Sequence, residues 1–203
     1  MTTTAILSPR DLALWQDARS FLDVRNNDEH TLVAYAVAKA LLALTPEADE
    51  SVVLPAVVLH DVGWKRIDPA HLLDAIDKKP GYDHLVRDHE LHGVDIAREI
   101  LERHRPDGVD IDAVLAIIDG HDTTKEARSI NDAVMKDADK GWRATPHGMK
   151  TIRGWYGWDR AQFLDMLEVR SNPNMLTPAG RAIAEAFTAS VRAELALDTY
   201  LET

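Results

Sequence analysis

A histidine and an aspartate, His60 and Asp61, directly follow an apolar run from Val52 to Leu59. Burying a carboxylate beside an imidazole at the end of an apolar helix is costly unless a partner neutralises the charge. A divalent metal ion is such a partner, because imidazole nitrogen and carboxylate oxygen are both among its usual ligands. The pair therefore predicts a metal site.

Further histidines and one aspartate occupy inward positions of other predicted helices. His30, His89 and His121 each follow the three- and four-residue spacing of apolar side chains that marks a buried helix face. Asp139 shares such a face, whereas Asp137 lies on the opposite side of its helix, which favours Asp139 as a ligand. For one inward histidine alone, a hydrogen-bonded place in the core is the commoner explanation. The whole set favours metal binding, and its predicted ligands are His30, His60, Asp61, His89, His121 and Asp139.

The elements that carry these residues are predicted to be helices, because the apolar period is helical nearly throughout and no β-alternation is long enough for a sheet. The predicted fold is an all-α, single-domain bundle. Helices are expected at about 8–21, 29–44, 49–60, 83–104, 110–120, 129–142, 159–169 and 178–197, with a short one near 71–76. The segment 143–158 is rich in Gly, Trp and Arg and is predicted to be a loop or lid, whose tryptophans pack rather than stack on a base.

Composition limits the classes of partner. The 203 residues suit one domain, and the net charge of −11 disfavours long nucleic acids while leaving room for a small phosphorylated substrate in a local basic patch. No cysteine is present, so any metal must use histidine and carboxylate. The first residues lack the basic and apolar regions of a signal peptide, and no uncharged run is long enough to span a bilayer. We expect a cytoplasmic protein without membrane contacts, and oligomerisation is left open.

The ordered set of residues resembles the HD-domain superfamily of metal-dependent phosphohydrolases over roughly Asp28 to Trp142. The family pattern is His, then His-Asp, then one or two further His, then Asp, all on a helical bundle. The matching segments are Asp28-Glu29-His30-Thr31, Leu59-His60-Asp61-Val62-Gly63-Trp64, His89-Glu90-Leu91-His92-Gly93, Ile117-Ile118-Asp119-Gly120-His121-Asp122 and Lys136-Asp137-Ala138-Asp139-Lys140. The resemblance implies an HD-like core at about 28–142 and a C-terminal helical extension at about 143–203. No subfamily is assigned, because the extended signature of the cyclic-dinucleotide branch is absent near His121.

The resemblance implies hydrolysis of a small phosphate ester or anhydride, with a nucleotide as the expected substrate, by metal-activated water. His30, His60, Asp61 and Asp139 would hold one divalent ion, and His89 and His121 would add a second ion bridged by Asp61. Manganese, iron, cobalt, nickel and zinc all suit these ligands. The predicted catalytic residues are Asp61, Glu90 and Asp122, the last two as bases or as partners of the ligands. The candidate phosphate-binding cations, chosen by their closeness in sequence to the ligands, are Arg25, Lys65, Arg66, Lys125 and Lys140, although solvation at the surface is the commoner role for any one of them.

Two alternatives stay open at this point. The six-ligand version of the superfamily includes mixed-valent di-iron oxygenases, and the ligands alone do not separate them from hydrolases. A non-catalytic HD-type binding domain is the third hypothesis, although such relatives usually lose ligands and none is lost here.

Overall fold

The computed structural model describes residues 5–77 and 79–201, and these residues form ten α-helices and no β-strand. The all-α prediction is therefore confirmed. None of the described helices is long and apolar enough to cross a membrane. In chain order they are α1 (Pro9–Ala18), α2 (Asn27–Leu44), α3 (Glu50–Leu59), α4 (Leu72–Ile76), α5 (Asp83–His104), α6 (Ile111–Ile118), α7 (Ile130–Trp142), α8 (Pro146–Tyr156), α9 (Arg160–Met166) and α10 (Pro178–Leu201).

Helix α3 is the centre of the bundle. Every residue from Val52 to Leu59 is buried, and α1, α2, α6 and α7 all contact this helix. A helix that is apolar on all sides is stable only when it is surrounded by other elements. The Asp49 side chain caps its first turn by accepting the Ser51 N–H. Since His60 and Asp61 follow its last turn, α3 delivers both side chains to the interior of the bundle.

The chain after α3 approaches α5 at backbone distance. A Cβ atom added to Gly63, in the 3₁₀ turn Val62–Arg66, would lie 1.9 Å from the carbonyl oxygen of His89 and 2.5 Å from the backbone nitrogen of Gly93. Only glycine fits at position 63, because no side-chain movement relieves a clash with backbone. The contact fixes His60 and Asp61 beside His89.

Residues 146–156 form helix α8, so the loop predicted at 143–158 is wrong over these residues, and the alternative, a lid, stays a prediction. Thr145 caps this helix by accepting the Gly148 N–H, Pro146 occupies its first turn, and Gly157 ends it with a φ of 67°. Glycines inside the segment weaken the apolar period that marks a helix in sequence. Gly148 is required by packing, since a Cβ there would lie 2.2 Å from the Trp142 carbonyl oxygen.

The C-terminal segment is joined to α7 through one buried carboxylate. Asp137 faces away from Asp139 along α7 and is fully buried. It accepts the backbone N–H groups of Leu176 and Thr177 and the Thr177 hydroxyl, each at 2.7 Å. Asp137 thereby holds the start of α10, which packs on α7 and α2. The division into an HD-like core and an extension stays a prediction.

Candidate metal centre

One donor group, named here the first donor group, is formed by His30 from α2, His60 after α3 and Asp139 from α7, together with Asp61. The Nε2 atoms of His30 and His60 are 3.1 Å apart. Asp139 Oδ1 lies 3.3 Å from His30 Nε2 and 3.7 Å from His60 Nε2. Asp61 Oδ2 lies 3.6 Å and 3.5 Å from the same two nitrogens. Four donor atoms from three helical regions therefore surround one point.

A second donor group lies beside the first. His89 from α5 and His121 after α6 bring their Nε2 atoms to 3.3 Å. The other oxygen of Asp61, Oδ1, is 3.6 Å from His121 Nε2 and 3.9 Å from His89 Nε2. Asp122 Oδ2 lies 3.8 Å and 3.7 Å from these nitrogens. Asp61 thus faces one group with each oxygen, and Asp122 adds a fourth donor to the second group.

The donor separations fit divalent metal ions. Two donors bound about 2.1 Å from a common ion are about 3.0 Å apart at a right angle and about 3.4 Å apart at a tetrahedral angle. The distances that involve imidazoles are 3.1–3.7 Å in the first donor group and 3.3–3.9 Å in the second. Two facing imidazole nitrogens repel unless a proton or a metal ion lies between them, so the chemistry of the donors agrees with their geometry.

Backbone carbonyl groups orient one imidazole in each group. His60 Nδ1–H donates to the Val57 oxygen at 2.8 Å, and His121 Nδ1–H donates to the Ile118 oxygen at 2.9 Å. A proton on Nδ1 leaves the lone pair of Nε2 free to bind a metal ion, which is the usual arrangement of a histidine ligand. His60 directly follows the last residue of α3, and His121 lies three residues beyond the end of α6. Both bond the carbonyl three residues earlier.

The buried charges of the cluster depend on one another. Burial disfavours protonation of His121, but the nearby carboxylates of Asp61 and Asp122 raise the pKa of His121 to about 10. Burial and the charge of His121 lower the pKa of His89 to about 4. Burial acts against ionisation of Asp61, yet His60 and His121 hold the pKa of this carboxyl well below its usual range. Because a ligand nitrogen has to be unprotonated, protons and metal ions compete for these imidazoles.

Two tryptophans pack against the imidazoles. Trp64 stacks on His89 with ring centroids 3.9 Å apart, and its Nε1–H donates to Asp61 Oδ1 at 3.1 Å. Trp142 meets His30 edge-on at 4.6 Å. Each indole shields one imidazole from water, and Trp64 also fixes the orientation of the shared carboxylate.

The donor groups open into a cavity of about 880 Å³. His30, Asp61, His121, Asp122 and Asp139 all line it. Its walls include aromatic side chains from α8 and the turn that follows, among them Trp155 and Trp158, whose predicted packing role stays a prediction. These two residues and Tyr156 are half-buried and line the cavity.

The predicted phosphate-binding cations divide into two sets. Arg25, Lys125 and Lys140 line the cavity. Lys65 does not, since it pairs with Asp23 near the surface, and Arg66 pairs with Asp95. Sequence reasoning missed two cavity cations, Arg143 and Arg170, because both belong to the segment without a recognised motif. Burial is the main reason that the pKa of Arg25 lies below its ordinary value, and Arg143 lowers this pKa further.

Glu90 is fully buried, but its carboxylate faces the loop after α6 instead of the cavity. It accepts the backbone N–H groups of Asp122 and Thr123, the Thr123 hydroxyl and the Arg87 guanidinium at 2.7–2.8 Å. These bonds occupy both oxygens. Burial acts to raise the pKa of Glu90, but the hydrogen bonds from Arg87 and Thr123 outweigh it, and the pKa lies below its ordinary value. The geometry favours a positioning role for Glu90, which holds Asp122 at the donor groups, over the predicted role as a base.

The fold and the two donor groups define an all-α protein with a candidate metal centre. A family model described as HD domain matches residues 27–141, more than half of the chain. The chain belongs to the HD-domain family, whose members are typically metal-dependent hydrolases, and the resemblance seen in the sequence is confirmed. No curated protein and no solved structure matches the chain.

Proposed function

We propose that the protein is a metal-dependent phosphohydrolase that cleaves a small phosphate ester or anhydride, with a nucleotide as the expected substrate. The observation that carries this proposal is the pair of donor groups that share Asp61 on the wall of a cavity that also holds five cationic side chains. Metal ligands suit the activation of water, and cations suit the binding of phosphate.

The first donor group would hold one divalent ion through His30, His60, Asp61 and Asp139. A bound ion lowers the pKa of a coordinated water and polarises a phosphoryl oxygen. Asp61 joins the two donor groups, and Trp64 donates a hydrogen bond to one of its oxygens and so restricts the rotation of the carboxylate. Arg25, Lys125 and Lys140 would receive phosphate oxygens from the cavity side.

Asp122 has two candidate roles that exclude each other. As a fourth donor of the second group it would bind an ion with His89 and His121. As a general base its free Oδ2 would accept a proton from the attacking water. A carboxylate bound to a metal ion has lost most of its basicity, so the occupancy of the second group decides between the roles.

Metal analysis of protein purified without chelator is the first test, followed by turnover of p-nitrophenyl phosphate and of nucleoside mono- and diphosphates with each divalent metal. We expect metal to co-purify and at least one ester to be hydrolysed only in its presence. Asp165→Ala, which removes an exposed carboxylate far from the donors in the chain, is the matched control for ligand variants. A metal-free protein that also fails to bind added metal would contradict the proposal.

A di-iron oxygenase is the second candidate, and the shared carboxylate supports it as it supports a two-metal hydrolase. Asp61 presents one oxygen to each donor group, as a carboxylate bridge between two ions requires. Iron-loaded protein would then consume oxygen in the presence of a substrate and give a mixed-valent paramagnetic signal. Phosphate release without oxygen consumption would exclude this candidate.

A further inference from the structure

Three cationic side chains lie together on the cavity wall: Arg25, Lys140 and Arg143. Arg143 is close enough to the other two that its charge acts on each of them. Like charges at such range repel one another. In a chain with 34 acidic and 23 basic residues, carboxylates are plentiful as partners for cations. Nevertheless, none of the three forms an ion pair with a carboxylate in the described part of the chain, and Lys140 reaches only the Asn174 carbonyl at 3.5 Å.

Arg25 is the most constrained of the three. It and the next residue, Asn26, have φ values of 50° and 62°, in the left-handed region that side chains other than glycine rarely adopt. The guanidinium lies over the Trp155 ring at 4.5 Å from its centroid. Its Nη1 is buried and has no hydrogen-bond partner among the described residues. Since an unpaired buried donor is costly, an acceptor supplied by a ligand is the simplest explanation.

The carboxylates of the donor groups do not fulfil this role. Asp61 and Asp139, whose charges act most strongly on Arg25 and Lys140 respectively, face imidazoles at 3.3–3.7 Å. One divalent ion in the first donor group would balance the charge of both carboxylates. Asp77 and Asp122 would then be the carboxylates left on a cavity wall that carries five cations. This excess of positive charge is the electrostatic requirement for an anion site.

We propose that Arg25, Lys140 and Arg143 form a subsite for a dianionic terminal phosphoryl group, so that the enzyme prefers phosphomonoesters to phosphodiesters; the proposal rests on the phosphohydrolase function. A phosphomonoester carries a charge of about −1.5 to −2 at pH 7 and three terminal oxygens. A diester carries one negative charge on two such oxygens. Three separate cations match the charge and the three oxygens of a phosphomonoester, whereas a diester has too little charge and too few oxygens to engage all three.

Direct binding tests this subsite without requiring turnover. Titration calorimetry at pH 8 compares inorganic phosphate, a dianion, with dimethyl phosphate, a monoanion, on metal-loaded protein. The variants are Arg143→Gln, Lys140→Gln and Arg25→Gln, with Arg143→Lys as the variant that keeps the charge. Lys150→Gln is the matched control, because Lys150 is an exposed cation on the same helix as Trp155 and does not line the cavity. Metal content and circular dichroism establish which variants are folded. The rates of hydrolysis of p-nitrophenyl phosphate, a monoester, and of bis(p-nitrophenyl) phosphate, a diester, are compared in parallel.

We expect wild-type protein to bind phosphate more tightly than dimethyl phosphate. Each Gln variant should weaken phosphate binding by about 10- to 100-fold, the range for loss of a hydrogen bond to a charged group. The affinity for dimethyl phosphate should change less than about threefold. Arg143→Lys should lose less of its phosphate affinity than Arg143→Gln, because it keeps the charge. If Arg25→Gln does not fold, the other two positions carry the test.

The outcomes separate the two proposals. Selective loss of phosphate binding supports the subsite even when no ester is turned over, and the hydrolase function alone then fails. Equal losses for both anions, or unchanged phosphate binding in the folded variants, would overturn the subsite. In that case ester hydrolysis, if observed, leaves the phosphohydrolase function intact.

Discussion

Two His-Asp pairs, His60-Asp61 and His121-Asp122, are built in the same way and placed differently. In both, the histidine follows a helix, its Nδ1–H donates to the carbonyl three residues earlier, and its Nε2 faces the histidine of another helix at 3.1 Å or 3.3 Å. The aspartates differ. The side chain of Asp61 is 9% exposed and touches both donor groups, whereas that of Asp122 is 30% exposed and touches one.

The histidines of the two pairs are placed alike, so the exposure of the aspartates is what distinguishes the two pairs in function. Local structure delivers an imidazole equally well at the end of α3 and at the end of α6. Burial decides what the following carboxylate does: Asp61 is enclosed and links the groups, while Asp122 lies at the edge of the cavity within reach of water and substrate. We therefore expect the first donor group to bind metal more tightly than the second.

Asp61→Ala should have the largest effect, since it removes a donor from both groups at once. Loss of even an outer partner of a ligand lowers metal affinity or activity by about 10- to 100-fold, so loss of the shared ligand should exceed about 100-fold in turnover. Elemental analysis and kcat measurements check this, with Asp165→Ala as control. Full metal content and full activity in folded Asp61→Ala protein would show that the proposed centre is wrong.

The next comparison sets His30→Ala against His89→Ala and His121→Ala. Under limiting metal, His30→Ala should bind much less than one ion per chain, because the tighter group has lost a donor. His89→Ala and His121→Ala should lower the metal-to-protein ratio without emptying the first group. If the ratio stays unchanged in both second-group variants while substrate binding weakens, the centre is mononuclear and these histidines contact the substrate. That result would also exclude the di-iron oxygenase.

Asp122→Asn should have a moderate effect that distinguishes a ligand from a base. If Asp122 binds the second ion, metal affinity should fall by about 10-fold or more, and excess metal should restore turnover. If it is a base, metal affinity should hold while kcat drops by about 100-fold and the acidic limb of the pH profile disappears. Isothermal titration with metal and a pH series of kcat separate these results, and wild-type behaviour in both would exclude Asp122 from the site.

Trp64→Phe should have the smallest effect of the set. Phenylalanine keeps an aromatic ring against His89 but lacks the N–H that donates to Asp61 at 3.1 Å. We expect a loss of about 10-fold in metal affinity, in the range for a lost partner of a ligand. The helical content should not change. Loss of the fold instead would mean that Trp64 acts through packing, since its side chain is almost fully buried.

Much of the fold follows from sequence because most helices obey strong local signals. The apolar period predicted helices at 83–104 and 129–142, and the structure has α5 at Asp83–His104 and α7 at Ile130–Trp142. Helix α1 ends at Ala18, short of the expected 21. Helix α8 was missed because its glycines interrupt the period, although Thr145-Pro146 and Gly157 are start and stop signals that could have found it.

The candidate donors could be selected from sequence, since each lies on an apolar face where a polar group needs a partner. Their distances could not, because they depend on how helices far apart in the chain pack. The same limit applies to the roles of Glu90 and Asp137. Both are acidic residues beside predicted ligands, and only tertiary contacts reveal that they hold the loop after α6 and the start of α10. Arg143 was missed because the cavity wall is formed by residues from several elements, and such a wall leaves no apolar period in the sequence.

The glycine contact between the 3₁₀ turn and α5 makes the donor spacing a property of the main chain. Because Gly63 touches the His89 carbonyl and the Gly93 nitrogen directly, no side chain lies between the two backbones as an adjustable spacer. A protein designer could therefore exchange apolar residues of α3 or α5 for others of similar volume and leave the separation of Asp61 and His89 almost unchanged. A single added methyl at position 63 would wedge the two backbones apart and pull the second donor group away from the first.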